Sequence, residues 1–311
     1  MEPDYDIIII GGGTAGLTAA QYGARANLRT LLVEEMAPGG QTLVIKDLEN
    51  YPGFPEPVDG FELAQKFSEQ AERFGAEILN ASVTAVEKQK KLFQVETTEG
   101  TKSSFAVIIA TGAQHRKLGI PGEEEFSGRG VSYCATCDGP LFKGKRMLVV
   151  GGGDASCDES SFLSKLTDSI IHIHRKDRFR AQKAIAERVL KNPSIEVRFE
   201  HELVEIKGDS QVEKVVLKDT GSDRTYEEAV DAVFIFIGSI PQTELVPDVE
   251  KDETGYIITD QCMGSSMPGL YAVGDVRVTP FRQIVVGAGE GAVASHCAAQ
   301  YIDELKGEAY E

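Results

Sequence analysis

Tyr5-Asp6-Ile7-Ile8-Ile9-Ile10 runs directly into Gly11-Gly12-Gly13-Thr14-Ala15-Gly16, and the reading of that junction decides the fold. An apolar run of strand length meets a glycine-rich turn and a helical stretch, and a second β-like run, Thr30-Leu31-Leu32-Val33, ends on Glu34. The same succession returns in Met147-Leu148-Val149-Val150, Gly151-Gly152-Gly153-Asp154-Ala155-Ser156 and Ile170-Ile171-His172-Ile173-His174-Arg175. Two βαβ starts of the dinucleotide-binding kind are expected. With 32 glycines in 311 residues an isolated G-x-G-x-x-G carries little weight, so the flanking strand and helix decide. Gly11, Gly13 and Gly16 permit a tight turn, backbone approach to a pyrophosphate and close helix packing, with phosphate at the helix N-terminus.

The two units differ in sign at the end of their second strand. Glu34 lies 21 residues after Gly13, where an acid accepts hydrogen bonds from a ribose diol and disfavours a 2′-phosphate; Glu35 is the alternative for that role. The first site is therefore read as holding an unphosphorylated adenosine, as in FAD or NAD. Arg175 lies 22 residues after Gly153 and stands among His174, Lys176, Arg178 and Arg180. Such cations suit the 2′-phosphate of NADP. Ser156 departs from the usual small apolar third position, though it is small enough to pack. Asp154 brings a carboxylate near the place of a pyrophosphate and has a second reading as a helix cap.

Length and composition fit two globular domains, with 41% apolar and 26% charged residues in 311. Thirty-two basic against 49 acidic residues leave a net charge of −17, which repels polyphosphate backbones and anionic membranes. No nucleic-acid or membrane partner is expected. Met1-Glu2-Pro3-Asp4 lacks the basic start of a secretory signal, and no apolar run approaches the ~20 residues that span a bilayer. A cytoplasmic protein is the expectation.

Periodicity predicts helices over Gly60 to Phe74, Asp154 to Leu166, Ala181 to Lys191 and Ile284 to Leu305. The runs Ala106 to Thr111 and Ala232 to Gly238 have strand length and end in Thr111-Gly112 and Ile237-Gly238, as strand ends facing a cofactor do. Gly269 to Asp275 reads as a late strand that completes the first domain. The expected fold is α/β, with two Rossmann-like three-layer nucleotide-binding domains, the second inserted into the first. Residues 1–114 and 242–311 make the first and residues 115–241 the second.

Five cysteines are too few and scattered for a disulfide framework, but Cys134-Ala135-Thr136-Cys137-Asp138 is a C-x-x-C. That spacing serves half a zinc site, a redox dithiol, or nothing. Zinc needs two more ligands, while Cys157, Cys262 and Cys297 are isolated and no second C-x-x-C or H-x-x-x-H exists. Those three read as buried small apolar residues, and no metal site is assigned. A flavin accepts a hydride and passes two electrons to a disulfide, so two nucleotide sites and a dithiol describe an electron relay. Asp138 adjoins the pair and suits the proton transfer of thiol–disulfide exchange, or it caps a turn.

On these residues the chain resembles the low-molecular-weight thioredoxin reductases, flavoenzymes of the pyridine nucleotide-disulfide type. The most specific motifs are Cys134-Ala135-Thr136-Cys137-Asp138-Gly139 and His174-Arg175-Lys176-Asp177-Arg178-Phe179-Arg180, with Gly39-Gly40-Gln41, Ala110-Thr111-Gly112 and Gly274-Asp275-Val276 in order around them. The resemblance spans essentially the whole chain. It implies FAD held at Gly40, Gln41, Asn50, Thr111, Gly112, Gly274, Asp275, Arg282, Gln283 and Ile284, with Ala15 and Val83 added to that set. It implies NADPH at Gly151, Gly153, Asp154, Ser156, His174, Arg175, Lys176, Arg180, Ile237 and Gly238. Lys176 stands where the family pattern has arginine, keeping charge but losing the bidentate fork.

The activity implied runs from NADPH to FAD, to the Cys134/Cys137 disulfide, and to a thioredoxin-like partner. Cys137 would be the flavin-proximal thiol, Cys134 the attacking one and Asp138 the acid/base. The resemblance also implies a homodimer and a rotating inserted domain, with hinges near Arg116 to Gly119 and Gly238 to Thr243. Ferredoxin-dependent relatives and dithiol oxidases share the fold but typically lack the basic cluster. A nucleotide-binding redox sensor, a different class, would carry the same motifs and stop after one reduction equivalent.

Overall fold

The computed structural model describes residues 2–45 and 48–308. The chain divides into two compact units, one of Met1–Gln114 with Ile240–Glu311 and one of His115–Ser239.

In the first unit Glu77–Asn80, Thr30–Glu34, Tyr5–Ile10 and Gly100–Ile109 lie side by side in parallel, and Leu270–Ala272 also pairs in parallel with Gly100–Ile109. The first half of Gly100–Ile109 instead continues into antiparallel Leu92–Thr97 and Val83–Gln89. A run of four isoleucines suits a strand covered on both faces, because successive side chains point to opposite sides. Ile7 and Ile9 meet Leu17 and Ala20 of the helix Thr14–Arg25 and Ala294 and Ala298 of the last helix, Ile284–Lys306. Ile8 and Ile10 meet Phe93, Val95 and Ile257 on the other side. Ile7, Ile8 and Ile9 are wholly inaccessible, so truncating one to alanine costs about 2–5 kcal/mol. The two helices approach through small residues: a Cβ on Gly291 would lie 2.2 Å from the Ala15 carbonyl oxygen.

The second unit has a parallel sheet in the order Ile195–Phe199, Ile170–His174, Met147–Gly151, Ala232–Phe236 and Val131–Ser132. The helices Asp154–Leu163 and Lys183–Leu190 cover one face, where Cys157, Leu163 and Val189 pack with Val149, Ile170 and Phe234. Across the other face lies an antiparallel sheet of His201–Gly208, Val212–Asp219 and Arg224–Ala229. Its Leu203, Ile206, Val215 and Leu217 meet Leu148, Val150, Ile171 and Ile173. Each unit is thus three layers about a largely parallel sheet, the α/β class expected from the glycine junctions.

Element ends differ from periodicity for local reasons. The helix from Asp154 stops at Leu163, because the Leu166 and Thr167 amides turn back onto the Leu163 carbonyl. The helix expected from Ala181 begins at Lys183, since the Asp154 carboxylate accepts the Gln182 amide at 2.6 Å and fixes the entry there. Leu92–Thr97 pairs with polar residues ahead of Ala106 and so draws that strand back to Gly100.

Two cysteine readings are corrected. Cys262 and Cys297 are not buried apolar fillers: both are half-buried and they are joined as a disulfide. The sequence separates them by 35 positions, which concealed the pairing. Cys157 is buried and free, and burial pushes its thiol up to about 11. Among the described residues no helix is long and apolar enough to cross a membrane.

Candidate active site

Cys134 and Cys137 form a disulfide with their Cα atoms 5.3 Å apart, at the start of the short helix Ala135–Asp138. Cys134 adopts an extended backbone ahead of that turn, and its Sγ accepts the Cys137 amide at 3.2 Å. Ser132, at the end of a strand of the parallel sheet, anchors the loop from below. Its Oγ donates to Asp138 Oδ2 at 2.5 Å and accepts the Cys134 amide at 3.1 Å. Burial raises the Asp138 carboxyl above the usual carboxylate range, and the Ser132 hydrogen bond acts in the opposite direction. A half-buried acid beside a disulfide is the arrangement that proton transfer in dithiol exchange requires.

Sequence reasoning passed over two groups that hold this loop. Ser132 sits two residues ahead of Cys134, outside the C-x-x-C. Glu123 is buried and accepts the Leu118 and Gly119 amides at 2.9 and 2.7 Å and the Tyr133 hydroxyl at 2.9 Å. It ties the segment entering the second unit to the residue before Cys134. In the sequence it is one of three consecutive glutamates, Glu123 to Glu125, which reads as solvated charge.

The first glycine loop has the close approaches the fingerprint predicts. Gly11 has φ +105° and a Cβ there would lie 2.4 Å from the Ala110 oxygen, while a Cβ on Gly16 would lie 1.9 Å from the Gly11 oxygen. Gly13, extended just ahead of the helix, has open space where its Cβ would be. A ligand backbone therefore has room at that helix N-terminus. Glu34 accepts the Gly12 amide at 2.5 Å and the Met36 amide at 2.9 Å, so its carboxylate is fixed beside the loop. Glu35 is exposed.

Several expected flavin residues gather around this loop. The Gly39 amide donates to Gly12 at 2.7 Å, and a Cβ on Gly40 would lie 3.1 Å from the Gly13 Cα. Gln41 Nε2 donates to the Ala113 oxygen at 2.7 Å, and Asn50 Nδ2 donates to Gln283 Oε1 at 2.9 Å. Thr111 Oγ1 donates to the Gln242 oxygen at 2.6 Å, Gln242 Nε2 returns a bond to the Thr111 oxygen, and Gly112 has φ +70°. Gly274 would meet Ala15 if it carried a Cβ, and Asp275 follows in a half-buried turn where burial raises its carboxyl. Arg282 lies over the Tyr256 ring at 4.3 Å and Ile284 opens the last helix. Val83 opens the strand Val83–Gln89 and packs against the core, two residues after Ala81, whose amide donates to the Glu34 backbone oxygen at 3.0 Å.

Glu290 belongs to no sequence motif. It is 8% exposed, accepts the Gly274 amide at 2.7 Å and pairs with Arg277, whose Nε donates to Thr259 at 2.7 Å. The pair holds the turn that carries Asp275. Its only sequence signal is an acid within the small-residue stretch Gly287 to Ala292.

The second glycine loop repeats the geometry. A Cβ on Gly151 would lie 2.5 Å from the Phe236 oxygen, Gly153 has open space, and buried Ser156 donates to the Gly153 oxygen at 2.8 Å. Asp154 does not cap its helix: the preceding Gly153 does so without a side chain, and the Asp154 carboxylate turns to the Gln182 amide and side chain. His174 lies against this loop. It is buried with its ring against Gly152, and burial followed by Arg180, Arg175 and Lys176 pushes its pKa down. Arg175, Lys176, Arg178 and Arg180 are exposed, and the Arg180 amide donates to the Gly152 oxygen at 2.6 Å, which brings the cations to the loop. Ile237 packs against the sheet core and Gly238, with φ +107°, accepts the Arg116 amide at 2.9 Å.

Comparisons with known proteins agree with these features. The thioredoxin reductase of Treponema pallidum is 56% identical over 306 residues, 98% of this chain and 100% of that one. The thioredoxin reductase of Listeria innocua is 43% identical over 98% of this chain and 96% of its own length. The crystal structure of thioredoxin reductase from Streptococcus pyogenes superimposes with a TM-score of 0.92 at 40% identity, covering 96% of this chain and 98% of that one. With residues 5–300 matching the pyridine nucleotide-disulphide oxidoreductase family, the chain belongs to that family.

Proposed function

We propose that the protein is an NADPH-dependent thioredoxin-disulfide reductase that uses FAD. The observation carrying this reading is the Cys134–Cys137 disulfide beside the half-buried Asp138, in a chain with two glycine loops of opposite surrounding charge. The open space at Gly13 and the fixed Glu34 fit an adenosine diphosphate bearing free ribose hydroxyls. Exposed Arg175, Lys176 and Arg180 beside Gly153 fit a 2′-phosphate. The bound flavin supplies two-electron transfer between a nicotinamide and a disulfide.

The chain's own residues do the rest. Reduction of the Cys134–Cys137 bond takes two electrons and two protons and yields two thiols. The Cys137 amide, 3.2 Å from Cys134 Sγ, stabilises negative charge there, which favours Cys134 as the attacking thiolate. It attacks one sulfur of a thioredoxin-like partner's disulfide and displaces the other, and Cys137 then attacks the Cys134 sulfur of the mixed disulfide, re-forming the Cys134–Cys137 bond and releasing the partner's remaining sulfur as a thiol. Asp138 holds the proton that the leaving sulfur takes. One unit carries both the C-x-x-C and the NADPH loop, and both serve one flavin, so they take turns by rotation at segments 116–119 and 238–243. A cytoplasmic homodimer completes the reading.

Anaerobic titration with NADPH and with NADH, followed by flavin absorbance, tests it. Uptake of about four electrons per chain with NADPH preferred, then turnover with a thioredoxin disulfide, is the expected result. A flavin that neither nucleotide reduces would overturn it in favour of a ferredoxin-linked or oxidase activity.

A further inference from the structure

The second cysteine pair has no part in that chemistry, yet it is built as carefully as the first. Cys262 lies in a turn held without it: Asp260 accepts the Cys262 and Gly264 amides, each at 2.8 Å, and Met263 sits at φ +62°. The Met263 oxygen accepts the Ala272 amide at 2.9 Å, fastening the turn to the strand Leu270–Ala272. Tyr271 of that strand reaches over to the last helix, its hydroxyl donating to the Cys297 carbonyl oxygen at 3.3 Å. Both cysteine backbones are thus fixed by other bonds, with Cα atoms 5.9 Å apart, inside the range a disulfide spans. Both residues are half-buried, so a small reagent reaches them.

We propose that Cys262 and Cys297 form a second, redox-labile disulfide that staples the last helix to the 260–264 turn, opened by a dithiol and re-formed by a peroxide. In opening, a thiolate of the dithiol attacks one sulfur and expels the other cysteine, which takes a proton. The second sulfur of the dithiol then attacks its own first sulfur in the mixed disulfide and expels the remaining cysteine, which also takes a proton. Two electrons pass to the pair and the dithiol leaves as a disulfide. In closing, hydrogen peroxide oxidises one thiolate to a sulfenic acid and the other thiolate displaces its oxygen, so two thiols and one peroxide give the disulfide and two waters.

The electron donor is a dithiol from solution and not the flavin. Cys297 lies 13 residues beyond Ile284 on one helix, about 20 Å along its axis. The exclusion of the flavin as donor rests on the flavin site proposed above; the staple itself does not.

The test counts thiols in the full-length holoenzyme by maleimide labelling in denaturant, with peptide mapping by mass spectrometry. After mild peroxide treatment one label, on Cys157, and a 262–297 cross-linked peptide are expected; after dithiothreitol, five labels. Cys262→Ser after peroxide should show two labels, on Cys157 and Cys297. The thermal midpoint of the wild type should fall by about 5–10 °C with dithiothreitol, and that of Cys262→Ser by much less, both carrying the same Cys134/Cys137 pair. Three labels on the peroxide-treated wild type, at Cys157, Cys262 and Cys297, would overturn the proposal. So would equal thermal shifts in the two proteins. Neither readout depends on reductase turnover, so failure here and failure of the proposed activity are distinguishable.

Discussion

Ser132 Oγ donates to Asp138 Oδ2 at 2.5 Å while the same hydroxyl accepts the Cys134 amide, so one side chain orients both the acid and the disulfide loop. Burial raises the Asp138 carboxyl and this bond restrains the rise. Ser132→Ala should therefore move the Asp138-controlled limb of the kcat–pH profile to higher pH, with Ser132→Thr restoring it. Asp138→Asn should lower kcat with a disulfide substrate by ~10²–10⁴-fold and remove that limb. A profile unmoved in Ser132→Ala would mean that Asp138 does not set it.

The cations beside the second loop make a nucleotide-specific prediction. Arg175→Ala and Arg180→Ala should each raise KM for NADPH by ~10–100-fold, the loss of a charge-assisted hydrogen bond, and leave KM for NADH nearly unchanged. Steady-state kinetics with both nucleotides decide it. Equal losses for both would place the arginines elsewhere than at a 2′-phosphate.

Gly16 has no room for a side chain, since even a Cβ would lie 1.9 Å from the Gly11 oxygen. Gly16→Ala should open the first loop and yield protein with little bound flavin, read as the ratio of visible to protein absorbance. Gly13→Ala, in open space, should fold normally and weaken flavin binding through the ligand alone.

Glu290 and Arg277 are 9% and 12% exposed at their side chains, so removing one leaves the other's charge buried and unpaired. Glu290→Ala should cost about 3–5 kcal/mol in denaturant unfolding. It should also release flavin, because the Gly274 amide loses its acceptor next to Asp275. Full flavin content in a destabilised Glu290→Ala protein would confine Glu290 to a stabilising role.

Asp6 links the first strand to Arg29 and, at 3.0 Å, to Lys306 at the end of the last helix. Burial alone would raise its carboxyl, but hydrogen bonds from Arg29 and Lys306 outweigh it and bring the pKa down to about 2 from 3.8. A folded-state pKa below the unfolded one gives stability that is present above pH ~4 and lost as pH falls toward 2. Asp6→Asn should lower the thermal midpoint by about 3–6 °C at pH 7 and by progressively less toward pH 2, followed by calorimetry.

Much of the site was legible because its chemistry is local in sequence. A strand, a glycine turn and a helix follow one another between Tyr5 and Arg25, and C-x-x-C brings two sulfurs together through one helical turn. What stayed illegible depends on side-chain partners that no motif spacing announces. Glu290 meets Gly274 through the packing of the last helix, and Ser132 meets Asp138 only because the loop folds back on its strand. Differences from the local reading have the same origin. His174 reads as a cation beside arginines, but strand position buries its ring against Gly152; Asp154 reads as a cap until Gln182 takes its carboxylate.

The α/β class, the two glycine loops, the reversed charge that separates them and the redox spacing of Cys134 and Cys137 are all readable from residue order alone. Each of these is written in residue type and short spacing, where steric demands on glycine and the reach of one helical turn leave few alternatives. The pairing of Cys262 with Cys297, the burial of His174 and the hydrogen bonds that hold Asp138 and the Gly274 turn arise from the packed chain. Those outcomes follow from which layers pack together and how deeply. Burial and partnership are properties of the packed chain, and no local pattern encodes them.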